Sequence, residues 1–506
     1  MSETFTRRAL CVVAFAVPML VYVFSLTPGV GFWDTAEMQT VPYILGIAHP
    51  TGFPLFILLG YAFSHLVVIG NVAWRLSLMS ATAMAGAAWF IFLTLRDEGV
   101  EPAIGCFAAW TFAFGSVAWT RATRAEVHAL VIMLIAAATW AALRARKTGD
   151  RRPLFLCAFF LGLAAATHPV MIWTLPGVAV LLFAPPIVAW RYGGRNVILA
   201  LAAGLAPLLL YLYIPARSAY VASHALDPTQ ALGLPPSQAF WNWGHPVGLR
   251  DFASYVLGSY YAKSDSLSAI LHPTLYPSMA QTFALKVYGE FSIVAIALIV
   301  IGIVFLFFKD LMKACGFVLI ALVGVPFALS YVVETDPDRY FLTAYWMLAL
   351  LLGYGAQAIV ADLKRRSGGR LVTSLVTLIL CLNAGYTVYE NRATFAQTGD
   401  HAGDEFVART ARQTPDGSIV VASWVYAAPL AYGRYVEGNL GQRIIVSAEP
   451  DRLAEFVRKW QRTRPVFAIY FKPLGDRVAS LDGLRLTALQ GDAPTIYRVG
   501  AQSAHR

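Results

Sequence analysis

Charge is scarce in this 506-residue chain: 13% of its residues are Asp, Glu, Lys or Arg, against 58% hydrophobic ones. A soluble domain carries roughly a quarter charged residues, so a water-soluble fold is excluded. Cysteine is scarce too, and Cys11, Cys106, Cys157, Cys315 and Cys381 all lie inside apolar runs with no CxxC pair among them. That spacing argues against a disulfide framework and against a cysteine-held metal. GxxxxGKS/T, GxGxxG after a strand, HExxH and GxSxG are all missing, which leaves soluble nucleotide-cofactor chemistry without support. No repeat of fixed period is visible.

What the chain has in abundance is apolar stretches of spanning length, about 20 residues each in a helix. They fall near 8–26, 75–95, 101–119, 127–143, 153–169, 170–190, 196–214, 286–308, 312–332, 342–361 and 371–388. The net charge of +10 sits in short basic clusters between these runs, so its role is topological and no nucleic-acid partner is expected. The run after Arg7-Arg8 is long enough to span and ends in Ser25-Leu26-Thr27-Pro28, a poor signal-peptide cleavage site, so it reads as a retained first span. A twelfth apolar stretch, 53–70, decides the sidedness of everything after it. If it does not cross, Arg96, the Arg144/Arg146/Lys147/Arg151/Arg152 cluster, Arg191/Arg195, Lys309/Lys313 and Lys364/Arg365/Arg366/Arg370 all share the cytoplasmic face with Arg7-Arg8. The stretch is therefore placed as a re-entrant or interfacial helix in the first outer loop. The N-terminus is inside and the C-terminus outside.

This topology predicts an all-α polytopic bundle over 1–390, with outer loops 27–74, 120–126, 215–285 and 333–341. A small α/β extracytoplasmic domain follows over 391–506, where strand-like runs (418–422, 443–446, 466–471) alternate with helical patterns (427–436, 451–461). The tail shows no catalytic motif.

Unusual residues gather on the outer face. Gly31-Phe-Trp-Asp34-Thr-Ala-Glu37 places two carboxylates three apart on one helical face, ahead of the turn Ala48-His49-Pro50-Thr-Gly52-Phe-Pro54. Acids at the edge of an apolar slab are costly unless solvated, paired or used; the plainer reading is an N-cap acid and a structural proline turn. Arg121-Ala-Thr-Arg124-Ala-Glu126-Val-His128 crowds two cations, a carboxylate and an imidazole into a short loop leading into a span. Snorkelling explains the arginines better than it explains Glu126 and His128. Three further segments are Tyr213-Ile-Pro-Ala-Arg217, Trp241-Asn-Trp243-Gly-His245-Pro246 and Glu334-Thr-Asp336-Pro-Asp338-Arg339-Tyr340. Arg217 and Arg339 sit at the depth of a lipid phosphate, which a guanidinium grips with two parallel hydrogen bonds; an aromatic belt with snorkelling arginines is the plainer alternative. His168-Pro169 reads equally as a helix-end histidine.

Taken in order, the acid pair, the His-Pro-x-Gly-x-Pro turn, the Arg-x-x-Arg-Ala-Glu-Val loop, the Tyr-x-Tyr-x-Pro-x-Arg exit and the Asn-Trp-Gly-x-Pro segment resemble the protein O-mannosyltransferase-like membrane family of the GT-C superfamily. The likeness runs over roughly residues 8–345. It implies a GT-C helical bundle with about eleven spans plus a juxtamembrane helix, a catalytic carboxylate in the first outer loop, a polyprenyl- or dolichyl-phosphate sugar as donor, and inversion at the anomeric carbon. By position Asp34 and Glu37 match the family's first two acids and Glu126 the acid of its second loop. The chain departs from the pattern at Thr35-Ala36, His128 and His245, where the family tends to have Ser-Gly, tyrosine and aspartate.

On this reading Asp34 is the base toward an acceptor hydroxyl, with Glu37 and Glu126 as catalytic partners. Arg339 and Arg217 hold the donor phosphate, while His49, Arg124, His128, His168, Trp243 and His245 bind or orient substrate. No soluble cofactor is required, although carboxylates at a phosphate site suit Mg²⁺ or Mn²⁺ and a divalent ion shared by Asp34 and Glu126 fits the scheme. The partners expected are the lipid-linked donor, an acceptor protein, glycan or lipid, and the membrane itself. The Arg- and Ala-rich composition points to a bacterial inner membrane. The rivals are a transporter or flippase of a lipid-linked substrate, which would place its charges near mid-bilayer in two repeated halves, and a scaffold, which leaves the first-loop acids without a task.

Overall fold

The structure is a computed structural model and describes residues 3–184, 192–259, 272–330, 337–366, 369–448, 454–470 and 484–501. Each of the eleven apolar stretches is built on helix, as it must be where no water is present to satisfy backbone N–H and C=O groups. Among the described residues Val72–Asp97, Val127–Thr148, Gly194–Ser223, Leu311–Ser330, Pro337–Arg365 and Leu371–Glu390 are long and apolar enough to cross a membrane, six helices in all. Glu3–Val23, Arg151–Ala165, Pro169–Phe183 and Ile293–Lys309 occupy four of the other stretches. The 53–70 stretch is the helix Pro54–Leu66, 13 residues long. Its rise of about 20 Å falls short of a hydrocarbon core of about 30 Å.

Two expected spans are drawn differently. The stretch 101–119 is a pair, Pro102–Ala113 and Ser116–Ala122, bent by 73°, so Arg121 stands on a helix and not in a loop. Gly115 marks the break. A Cβ there would lie 2.2 Å from Glu290 Oε1, and the Glu290 carboxylate accepts the Val117 N–H at 3.2 Å, satisfying the first turn of the second helix. The 286–308 stretch is divided between two helices. Tyr276–Glu290 ends, and Ile293–Lys309 begins behind Ser292, whose hydroxyl accepts the Ala295 N–H at 3.1 Å.

The chain packs as two units. One is drawn from Met1–Leu26, Ser80–Leu210 and Tyr261–Gln397 and is a helix bundle. Its helices approach through glycine. A Cβ on Gly302 would lie 2.0 Å from Leu351 O and one on Gly355 1.9 Å from Leu298 O, while Gly162 and Gly204 do the same for Arg151–Ala165 against Gly194–Leu205. Small residues at such contacts let backbones pack closely where no water is present to drive helices together. Members of three of the basic clusters pair with acids in this bundle: Arg146 with Asp310 at 2.8 Å, Lys364 with Glu101 at 2.8 Å, and Lys313 with Glu98. Helix Val127–Thr148 runs from Glu126 to the turn that carries Arg146 over 22 residues, about 33 Å, which matches the bilayer core.

The other unit comprises Thr27–Met79, Tyr211–Tyr260 and Thr398–Arg506. The sheet-bearing tail packs in this unit with the first loop and with residues 211–260. Its sheet has the order β2-β1-β3-β5-β4, built from β1 (Ile419–Ala422), β2 (Ile444–Ser447), β3 (Val466–Ile469), β4 (Leu484–Ala488) and β5 (Ile496–Ala501). β1 lies between β2 and β3, parallel to both, and its residues are buried throughout, as expected of a strand covered on both faces. β4 and β5 add an antiparallel ribbon. Leu232 and Leu234 enter the sheet's core, and Trp460 donates its indole N–H to Leu232 O at 2.9 Å.

Candidate active site

In the sheet-bearing unit the first loop opens with the helix Trp33–Ile44, with Asp34 in its first turn and Glu37 fully buried one turn later. The following turn folds back on this helix. Gly52 N–H donates to His49 O at 2.8 Å with Gly52 at φ 87°, a conformation glycine adopts without penalty. His49 N–H donates to Glu37 Oε1 at 2.8 Å and its ring Nδ1 pairs with Oε2. One ligand-type atom from each of Asp34, Glu37 and His49 lies within 4.8 Å of the others. Burial pushes the Glu37 carboxyl above its usual range; His49 pulls it back, and the Asp34 charge adds to the rise.

The wall of this cluster is aromatic. Trp243 meets His49 at 6.2 Å and Trp424 at 4.8 Å, edge to face. Trp424 stacks on Phe240 at 5.1 Å and donates its indole N–H to Asp34 Oδ1 at 3.3 Å. Trp33, Leu45, Phe53, Phe240 and His245 all hold positive φ. Left-handed non-glycine backbone costs of order 1 kcal/mol or more per residue and concentrates where function fixes geometry.

The Asn-Trp-Gly segment is sewn to this loop by its backbone: Ile47 N–H donates to Trp241 O at 3.2 Å and Trp243 N–H to Ile47 O at 3.4 Å. His245 is a loop pin, its Nδ1 3.0 Å from Asn242 Nδ2 and 3.2 Å from Ser218 Oγ. Arg217, expected to hold a lipid phosphate, is engaged elsewhere. Its Nε donates to Leu45 O at 2.6 Å and Nη2 to Ile44 O at 3.1 Å, so the cation caps the C-terminal carbonyls of the acid-bearing helix.

In the helix bundle a second cluster surrounds Glu126. Its Oε2 lies 3.4 Å from Arg121 Nη1 and 3.9 Å from Arg339 Nη1, and its Oε1 pairs with His128 Nδ1 at 2.9 Å. The carboxylate also caps its helix by accepting the His128 backbone N–H at 3.2 Å. Burial would raise this acid; the His128 hydrogen bond and the charges of His128, Arg339 and Arg121 outweigh it and hold the carboxyl well below the usual range. The His128 ring lies 4.7 Å from His168 and 5.1 Å from Tyr340, and its buried Nε2 has no hydrogen-bond partner among the described residues. His168 is a helix-end histidine, accepting the Val170 N–H at 3.0 Å. Beside Arg339, Lys286 pairs with Asp338 at 2.6 Å. Glu334 and Asp336 lie outside the described residues, and Arg124 is the chain neighbour of this cluster.

Sequence reasoning did not single out Trp424. Its signal is positional: it follows the C-terminal end of a central parallel strand, where open α/β sheets place their ligand loops.

The bundle, the acid-bearing first loop and the small α/β tail define a multi-pass membrane glycosyltransferase with the GT-C fold. It is similar to proteins described as protein O-mannosyl-transferases. The family described as "Protein O-mannosyl-transferase TMEM260 N-terminal domain" matches residues 34–187. The mouse protein O-mannosyl-transferase TMEM260 is 26% identical over 499 residues, 94% of this chain and 67% of its own length. The Dictyostelium discoideum protein of the same description is 33% identical over 130 residues, 25% of this chain and 16% of its own. The crystal structure of ArnT from Cupriavidus metallidurans bound to undecaprenyl phosphate superposes with a TM-score of 0.60 at 12% identity, covering 97% of this chain and 98% of that one. At that identity the likeness is one of fold.

Proposed function

We propose that the chain transfers a hexose from a polyprenyl-phosphate-linked donor to an acceptor hydroxyl on the extracytoplasmic side of a bacterial inner membrane, with inversion. The N-terminus is cytoplasmic in this reading, and the tail is extracytoplasmic. The observation that carries it is the packing of Asp34 against Glu37 and His49 at the start of a helix. The acceptor O–H gives its proton to Asp34 as its oxygen bonds the anomeric carbon, and the carbon–oxygen bond to phosphate breaks with the electron pair leaving on the lipid phosphate. Glu37 and His49 fix the loop. In the helix bundle, Arg339, Arg121 and His128 Nε2 around Glu126 are groups that suit a phosphate. Because the matched relatives are named as protein O-mannosyl-transferases, a serine or threonine hydroxyl is the leading acceptor, ahead of a glycan or a lipid.

Glu37 is bonded to the His49 backbone N–H and ring Nδ1, and no step is routed through an ion.

The test is consumption of radiolabelled undecaprenyl-phosphate hexoses by the purified protein in lipid. Asp34→Asn lowers turnover by about 10²- to 10⁴-fold, or roughly 3–5 kcal/mol of barrier, and Arg339→Ala raises the donor KM. Normal turnover by Asp34→Asn overturns the assignment of the base.

A further inference from the structure

The α/β tail has no assigned role, yet it delivers one side chain to the acid cluster. We propose that Trp424 is a positioning residue for the transfer: its indole N–H holds the Asp34 carboxylate in the orientation from which it takes the acceptor's proton. This rests on Asp34 being the base.

Trp424 stands at the first position of the helix Trp424–Tyr435, directly after β1 and Ser423. Its ring is not free to swing. Phe240 stacks on it face to face, with ring planes 6° apart, and Trp243 abuts it at 86°. With the ring so clamped, the N–H points at Asp34 Oδ1, 390 residues earlier in the chain. The helix carrying it is pinned to the first loop further along: Tyr432 Oη accepts the Ala73 N–H at 3.0 Å, and Tyr426 meets Phe32 edge to face at 6.4 Å. A carboxylate in the first turn of a helix can rotate about its χ2, and a fixed donor restricts that rotation. Rates are sensitive to such angles, because a reacting group must be held close to its productive geometry by groups that are themselves locked. An indole offers one donor and no acceptor, so it stabilises the ionised acid without competing for its proton.

The experiment uses the full chain in lipid with the radiolabelled undecaprenyl-phosphate hexoses and a threonine-containing peptide. Trp424→Phe keeps an aromatic ring and removes the N–H together with one ring of the indole. It lowers kcat roughly tenfold, the scale of one hydrogen bond to a charged group, with both KM values and the melting temperature unchanged. In the Asp34→Asn background the same change has no further effect, since a residue acting through Asp34 has nothing left to act on. Wild-type kcat in Trp424→Phe, an equal fold-loss in the Asp34→Asn background, or a loss that tracks a lowered melting temperature overturns the proposal. Normal turnover by Asp34→Asn overturns the reading of the base itself. That result is separate from a normal Trp424→Phe beside an inactive Asp34→Asn, which defeats only the positioning role.

Discussion

Both carboxylate oxygens of Glu37 are held by a single residue, His49, one through its backbone N–H and the other through its ring. A buried acid satisfied in this way is a structural tie as well as a neighbour of the base. Glu37→Ala removes the acceptor of a backbone N–H and leaves a hole, and should cost about 2–4 kcal/mol in thermal unfolding followed in lipid. Glu37→Gln keeps one acceptor and should cost less than half as much. The pH dependence has a definite sign. Because the folded-state pKa is raised above the usual 4.5, the folded chain holds this proton more tightly than the unfolded chain, and stability falls as pH rises from about that value through the raised one. A melting temperature that declines across this window in the wild type and declines less in Glu37→Gln is the expected result.

Glu126 behaves oppositely. Its folded pKa is depressed, so its contribution is fully present above the unfolded value of about 4.5 and is lost as pH falls below it toward the lowered one. His128→Gln removes the largest lowering partner. It should make the melting temperature less sensitive to acid below pH ~4.5, and on the proposed function it raises the donor KM with little effect on acceptor KM.

One close helix contact in the bundle depends on two glycines. With Gly302 and Gly355 each facing a backbone carbonyl at about the spacing that admits no Cβ, Gly355→Leu forces Ile293–Lys309 and Leu342–Arg366 apart. Overpacking typically costs about 1–3 kcal/mol, occasionally more, and at so close a backbone approach the upper end is expected. Recovery of folded, monodisperse protein in detergent checks it, with Gly385→Leu, where no atom lies within 4 Å of the Cβ position, as the control.

The tail is keyed to the first loop at Gly403 and Asp404. A Cβ on Gly403 would lie 2.0 Å from Val30 O, and Asp404 Oδ1 accepts the Val30 N–H at 3.0 Å. Gly403→Val should loosen that seat, seen as protease cleavage in the tail at concentrations that leave the wild type intact.

Sugar transfer should persist in EDTA, because Glu37 and His49 are already bonded to each other. Loss of activity in EDTA with recovery on Mg²⁺ or Mn²⁺ would show that an ion displaces the pair.

The helical stretches, the three parallel strands and the gathering of acids in the first loop were legible in the chain because each has a local cause. Backbone in an apolar slab must be helical, and buried strands read as apolar runs. β4 and β5 escaped notice: Leu484–Ala488 is largely exposed and mixes Arg and Thr into its run, so no buried pattern announces it. For Arg217, position gives the depth of a cation but not where its guanidinium turns. It turns inward, to the carbonyls at residues 44 and 45.

Sequence by itself determined that the chain is a helical membrane bundle, because hydropathy acts through the local environment of each residue. It determined also that Asp34 and Glu37 share a helix face. Which distant residues meet was decided only in the tertiary structure. Glu126 gathers Arg339 from a later span, and Asp34 receives an indole from 390 residues away. Such contacts depend on how helices and sheet pack, and nothing in either segment's own composition encodes its partner.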